Sequence, residues 1–476
     1  MHNISPANFE QQLHEQFGMS PTAGQERLFY AFTRFVFSEK DRVTLLVKGY
    51  AGTGKTSSIS AMVKTLELCG IQVQLLAPTG RAARVLANYS GKQAWTIHRH
   101  IYMRRMDRHG GGWFELKGNE LQNTIFIVDE ASMIGSGDQG DFAQGDLLED
   151  LITHVYSGEG CRLVIVGDSA QLPPVGSAKS PALDLAGLRN NYALNIAEVE
   201  LDEVIRQQEG SGILENATGV RKQITDGKND LPLFRTEGFK DVIRVDRDLQ
   251  DYFEDAYRRF GKDDMIIITR SNKRANLFNQ QVRARILWHE EEINAGDRMM
   301  VLRNNYYWLS EPGNAAGFIA NGDVLQIQRI LGFEDRDKFR FCKAIVSLVD
   351  YPDLPEFETI LLCNSIWEES ASVSYEKIKE LGNLIALDYP DITEMRALRK
   401  KVMSDPYFNA LQVKFAYAVT CHKAQGGQWP CVFVDQGYLT DEMAGIELNR
   451  WFYTAITRAQ EELYLVGFED NLFTTT

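Results

Sequence analysis

Cysteine is scarce: six in 476 residues, at positions 69, 161, 342, 363, 421 and 431, with no C-x-x-C pair. That spacing excludes a zinc knuckle and gives no disulfide framework. Buried thiols in a reducing compartment are the expectation. No apolar run approaches the roughly 20 residues of a membrane span, and no membrane partner is expected. The opening stretch, MHNISPANFEQQLHEQFG, is too polar for a signal or transit peptide, so a cytoplasmic location is expected. Tandem repeats and low-complexity tracts are missing too. Positive charge is in deficit, with 51 Lys and Arg against 65 Asp and Glu, a net charge of -14. Taken alone, that argues against a nucleic-acid binder. It does not exclude one, because a phosphate backbone senses the local field of a groove and not the net charge.

What is present is an ordinary globular mixture, 44% hydrophobic and 24% charged. The length suits roughly three domains of about 150 residues. Residues 25–36 (QERLFYAFTRFV) have helical apolar spacing. VTLLVKG (43–49), IQVQLLAPT (71–79), TIFIVDE (124–130) and CRLVIVGD (161–168) read as strands, with helices expected over 55–69 and in RAARVLANY. Strands alternating with helices predict a parallel sheet with its chemistry at the strand carboxyl ends. The pattern resumes with MIIITR (265–270), VKFAYAVTCHKAQG (413–426), CVFVD (431–435) and ELYLVG (462–467). Between these lie β-like runs separated by Gly, Asn and Asp turns, then charged helical stretches over 370–403. The expected fold is therefore α/β, with a small β-barrel and a helical extension inserted into the second α/β unit.

Residues 49–56, Gly-Tyr-Ala-Gly-Thr-Gly-Lys-Thr, fit G-x-x-x-x-G-K-[ST], the Walker A loop. Gly49, Gly52 and Gly54 let the backbone, including Ala51 and Thr53, wrap close to phosphates. A helix starting at Lys55 adds its positive end. Lys55 is placed to reach the β- and γ-phosphates of ATP, and the Thr56 hydroxyl is a hard ligand for Mg²⁺. The bland reading is a Gly-rich strand-to-helix turn. TIFIVDEAS supplies the acidic partner: Asp129 for the Mg²⁺ shell and Glu130 to orient the attacking water. In GDSAQLPPV (167–175), the Gln171 amide suits sensing of a γ-phosphate; alone, the segment is a proline-rich turn.

Walker A, LLAPTGRAARVL (75–86), WTIH (95–98), VDEASM, GDSAQLPPV, LDEVIRQ (201–207), VTCHKAQGGQW (419–429) and YTAITRAQEELYLVG (453–467) follow in that order. The ordered set resembles the superfamily 1B helicases, the RecD/Dda-like branch, over residues 25–467. The resemblance implies two RecA-like domains with ATP in the cleft between them. It gives a first domain at 1–185, carrying a pin subdomain at about 99–122. The second domain would be 186–295 with 414–476, interrupted by an SH3-like barrel and its helical extension at 296–413. It implies that Gln25 recognises adenine, that Gly426 belongs to the nucleotide site, and that Arg206 and Arg458 approach the γ-phosphate. The bland alternatives are a helix-start glutamine and surface salt bridges. One departure stands out: the Q-G-x-E common in this superfamily is Gln425-Gly426-Gly427-Gln428, so a ribose contact at 428 lacks its charge.

The resemblance also implies a single-stranded DNA track over both domains: Thr79, Gly80, Arg81, Thr96 and His98 on the first, Thr269, Arg270, Ser271, Asn272, Thr420, His422 and Lys423 on the second. Hydroxyls, amides and rings at strand ends suit phosphates and bases. The basic segment HRHIYMRRMDRHGGGWF (98–114) falls where relatives carry the pin; otherwise it is a solvated hairpin. The basic helix with Arg396, Arg399, Lys400 and Lys401 reads more simply as a solvated face. The activity implied is an ATP-dependent helicase, translocating 5′ to 3′, acting as a monomer on single strands and tailed duplexes. The rivals are a DNA-stimulated ATPase that remodels protein–DNA complexes without unwinding, and a small-molecule kinase. The second α/β unit and its arginine argue against the kinase.

Overall fold

The computed structural model describes residues 4–106, 112–135, 146–204, 210–245, 248–309 and 318–474. In the first domain, β1 (Val43–Gly49), β2 (Val73–Ala77), β3 (Ala94–Thr96), β6 (Ile125–Val128), β7 (Arg162–Gly167) and β8 (Asn195–Leu201) form one parallel sheet in the order β3-β2-β6-β7-β1-β8. Between β3 and β6 lies a separate antiparallel hairpin, β4 (Tyr102–Met106) with β5 (Gly112–Leu116). The central strands are mostly apolar, β6 (IFIV) wholly so, because both faces of the sheet are buried. Leu45 and Val164 bury on one face; Leu46, Phe126 and Ile165 bury on the other. The chain enters through helix Pro6–Phe17, capped by Ser5, and helix Ala23–Val36, closed at its start by a reciprocal Thr22–Gln25 capping box.

The second domain has β9 (Val242–Val245), β10 (Met265–Thr269), β16 (Ala418–Thr420), β17 (Trp429–Asp435) and β18 (Ala459–Val466), in the parallel order β16-β10-β17-β18-β9. Between β10 and β16 the chain builds a closed barrel of β11 (Arg298–Val301), β12 (Val324–Arg336), β13 (Phe339–Leu348), β14 (Phe357–Leu362) and β15 (Leu411–Phe415). Helices Tyr375–Ala386 and Met395–Met403 form its extension. Leu381, Ile385 and Val402 pack against Phe341 and Leu362 of the barrel wall.

Two expectations need correction. Residues 186–201 do not open the second domain: β8 pairs with β1 over seven positions, Val43 with Asn195 through Gly49 with Leu201. The first sheet therefore ends at Leu201, not before 186. The single strand expected from 413 is two: Leu411–Phe415 closes the barrel against β11 and β14, and Ala418–Thr420 pairs with β10. Among the described residues no helix is long and apolar enough to cross a membrane, and the six cysteines are unpaired.

Candidate nucleotide site and nucleic-acid channel

β1 ends at Gly49, where a Cβ would lie 2.9 Å from Lys55 Cγ and 3.1 Å from Leu201 Cβ. Gly52 and Gly54 hold φ of 76° and 78°, a left-handed geometry that suits glycine. The loop then leads into helix Lys55–Leu68, whose N-terminal end suits phosphate. Lys55 Nζ donates to the carbonyls of Gly49 at 2.5 Å and Tyr50 at 2.9 Å, and lies 3.8 Å from Asp168 Oδ2. Thr53 is buried, its hydroxyl donating to the Tyr50 carbonyl.

The acidic pair follows β6. Asp129 accepts from the Tyr89 hydroxyl at 2.5 Å and from the Glu130 amide at 2.8 Å. Burial pushes both carboxyls above their usual range; the Tyr89 bond opposes this at Asp129, and the Arg458 charge opposes it at Glu130. Glu130 sits at φ 52°, a left-handed conformation that costs of order 1–3 kcal/mol in a non-glycine residue and collects at functional sites. Gln171 is buried with Oε1 lacking a partner among the described residues. One hydroxyl, Thr56, and one carboxylate, Asp129, are hard-oxygen donors of the kind Mg²⁺ takes when phosphates and water complete its shell. The donor set therefore fits that ion.

The second domain reaches into this cleft. Tyr453, on helix Ile446–Ile456, donates to Asp168 Oδ2 at 2.7 Å while its oxygen accepts from the Ala51 amide at 2.8 Å. The Leu172 amide donates to Thr454 Oγ1 at 2.9 Å, and the Leu172 carbonyl accepts from Gln425 Nε2 at 2.8 Å. Arg458 is 2% exposed. Its nitrogens donate within its own domain: Nε to the Thr454 carbonyl, Nη1 to the Gly427 carbonyl and Nη2 to Thr457 Oγ1. Gly426 packs against the first domain, where a Cβ would lie 2.8 Å from that of Ala82.

Some expected residues take other roles or lie elsewhere. Gln25 is buried and spends its amide oxygen on the Thr22 amide in the capping box; its nitrogen lies 3.4 Å from the Thr53 carbonyl. Gln428 is exposed and accepts from Gln460. Arg206 lies outside the described residues. Asp168, Tyr89 and Tyr453 were not singled out from sequence. Asp168 carries the same signal as Asp129, an acid directly after an apolar strand, within GDSAQLPPV; Tyr453 stands in the YTAITRA motif.

A cavity of about 840 Å³ opens between the two α/β domains and the barrel. Thr79, Arg81, Thr96, His98, His422 and Lys423 all line it, as do Gln425 and Trp429. Six other residues expected on the track, Ser271 among them, do not. Gly80 faces the barrel, where a Cβ would meet Asp323 Oδ1 at 2.6 Å. Thr269 is wholly buried at the end of a strand buried along its whole length, and donates to the Ser271 carbonyl. Arg270 donates to the Tyr438 carbonyl, and Asn272 begins a helix capped by Ser271. Thr420 is a helix N-cap outside the cavity wall. Thr79 and Thr96 also cap helices, through bonds from the amides of Ala82 and Arg99. Burial lowers His98 to about 4 and Lys423 to about 8. The barrel extension, residues 370–375, contributes a cavity wall that the sequence did not reveal.

Two RecA-like parallel sheets, with a phosphate loop after β1 that the second domain's Tyr453 bonds, define the two-domain P-loop class. Residues 22–239 match the AAA domain family, and residues 415–466 match the UvrD-like helicase C-terminal domain family. With the ordered motifs, these matches are consistent with superfamily 1B of the helicases. It is 33% identical over 179 residues to the ATP-dependent RecD2 DNA helicase of Deinococcus radiodurans, covering 37% of this chain and 21% of that one. It is 24% identical over 289 residues to the ATP-dependent DNA helicase Dda of enterobacteria phage T4, covering 58% of this chain and 60% of that one. The chain thus spans less than two thirds of either relative. The Bacteroides Pif1 helicase, solved with ADP-AlF3 and single-stranded DNA, aligns over 96% of this chain and 95% of its own, at 16% identity and a TM-score of 0.47.

Proposed function

We propose that this chain is an ATP-driven DNA helicase that moves 5′ to 3′ along one strand as a monomer and separates duplex ahead of it. Lys55 and the phosphate-loop amides bind the triphosphate. Glu130 and Gln171 orient the attacking water. Thr56 and Asp129 would hold Mg²⁺, which supplies charge neutralisation at the phosphates. Arg458, and Arg206 by its motif, neutralise charge developing on the transferred group. Thr79, Arg81, His98, His422 and Lys423 contact the strand. One observation carries the reading: Gln425 lines the cavity while its amide grips the Leu172 carbonyl beside the nucleotide cleft. A strand in the cavity and a nucleotide in the cleft therefore act on the same residue. The relatives named as ATP-dependent DNA helicases support it.

The test is strand displacement with ATP on matched 5′-tailed and 3′-tailed duplexes. Displacement of the 5′-tailed substrate alone is expected. Displacement of only the 3′-tailed one reverses the polarity. DNA-stimulated hydrolysis with no displacement of either favours a remodelling ATPase.

A further inference from the structure

Arg81, from the first domain, lays its guanidinium over the ring of Trp429, from the second, at 3.9 Å. Both line the cavity. The Arg81 Nε is buried and has no hydrogen-bond partner among the described residues. A buried guanidinium stacked on a ring with its Nε unbonded is a weak anchor, and an incoming phosphate can compete for it. Gly427 lies against the stack on one side: a Cβ there would be 2.4 Å from the Trp429 ring and 2.8 Å from Arg81 Nε. On its other side, the Gly427 carbonyl takes the Nη1 proton of Arg458 at 3.2 Å. Trp429 touches the same arginine a second time, its amide donating to the Arg458 carbonyl at 3.0 Å. So one of the three bonds that turn the Arg458 side chain into its own domain ends on Gly427, against which Arg81 and Trp429 rest; the other two end on Thr454 and Thr457.

Resting on the proposed function, we infer that the Arg81–Trp429 stack, by fixing Gly427, is one of the restraints that keep Arg458 turned back when no strand fills the cavity, and that a bound strand's phosphate, by drawing Arg81 off the ring, loosens the Gly427 bond and eases Arg458 toward the nucleotide. Arg81 is then a positioning residue for hydrolysis as well as a strand contact. The second glycine of the Gln425–Gln428 segment is required by the stack: only a residue without Cβ fits at 427.

Three variants separate the stack from its components. Arg81→Gln keeps hydrogen bonding and removes the cation. Trp429→Phe shrinks the platform. Gly427→Ala keeps both partners and wedges them apart. Each is assayed for ATP hydrolysis without DNA and with saturating oligo(dT), saturation being set for each variant by fluorescence anisotropy. The expected result is a severalfold rise in the DNA-free rate in all three, with little change in the saturated rate of Trp429→Phe and Gly427→Ala, so that the stimulation ratio falls by half or more. The conservative Trp429→Phe should change it least. An unchanged ratio in all three overturns the inference, as does a parallel loss of both rates, which marks a structural role. A parent enzyme with no stimulation at all overturns the proposed function itself, a result distinct from either.

Discussion

Tyr453 and Asp168 are bonded at 2.7 Å across the domain boundary, and the same tyrosine oxygen accepts the Ala51 amide of the phosphate loop. The hydroxyl is buried and its proton is held tightly, burial and Asp168 both pushing its pKa well up. Tyr453→Phe leaves a buried amide and a carboxylate oxygen short of a partner, at about 1–3 kcal/mol for each group. It also unties the second domain from the loop that must close on ATP. We expect a lower melting temperature and a raised KM for ATP, with kcat reduced less. Thermal melts and steady-state ATPase check this; an unchanged KM would show that the tie is purely structural.

Lys55→Ala removes a contact made to the ground-state nucleotide as well as to the reacting phosphoryl group. Arg458→Ala removes a group that in this structure bonds only its own domain, so its loss falls on the transition state. Losing an arginine finger costs about 10³–10⁵ in rate in P-loop enzymes. Near-complete loss of hydrolysis is expected in both, with nucleotide affinity better retained in Arg458→Ala. Nucleotide titration beside steady-state ATPase separates them, and near-normal turnover in Arg458→Ala would remove it from the catalytic set.

Asp323 sits where the barrel meets the start of helix Gly80–Ser90. One oxygen accepts the Ala320 amide, and the other lacks a partner among the described residues. Burial raises its pKa to about 7. The folded state thus binds this proton more tightly than the unfolded chain, where aspartate titrates near about 3.9. Its contribution to stability is full below the unfolded value and is lost as pH rises through about 7. Asp323→Asn, a mimic of the protonated acid, should flatten that dependence: near-parent stability at acidic pH, and greater stability than the parent above pH 7. Urea unfolding at acidic and alkaline pH measures the difference, and an equal shift at both would show that the group does not titrate in this window.

The parts readable from sequence are those whose chemistry is local. The phosphate loop needs its glycines within eight residues, and buried parallel strands are apolar at every position, as in Ile125–Val128. What escaped depends on distant pairing or on which way a side chain turns. β8, Asn195–Leu201, alternates polar and apolar at the sheet edge and joins the first domain only by pairing with β1. Tyr453 and Asp168 meet across 285 positions, and no spacing rule spans that. Thr269 has the right residue type at a strand end, yet that strand is buried at every position on both faces, Thr269 included.

The hairpin Tyr102–Leu116 is the candidate strand separator, and its base is fixed firmly to the first domain. Tyr102 is 9% exposed and donates to Asp150 at 2.6 Å, the Lys117 amide donates to the Ile101 carbonyl, and the Lys117 carbonyl meets His154 Nδ1 at 2.8 Å. Tyr102 is thereby committed to anchoring and cannot serve as a free stacking ring. Its tip, 107–111, and the side chains of Trp113 and Phe114 lie outside the described residues. An aromatic ring at a fork stacks on a base for about 1–3 kcal/mol, comparable to a DNA base-pair step at about 1.4 kcal/mol. A wedge on a rigid base can therefore bias the fork open while ATP supplies the movement. Replacing residues 107–114 with a short Gly-Ser linker leaves the Tyr102, Ile101 and Lys117 anchors in place. DNA-stimulated ATPase and translocation on single strands should stay near the parent level, and duplex unwinding should fall sharply. Unwinding at the parent rate would put strand separation elsewhere, and an equal fall in ATPase would make the segment structural.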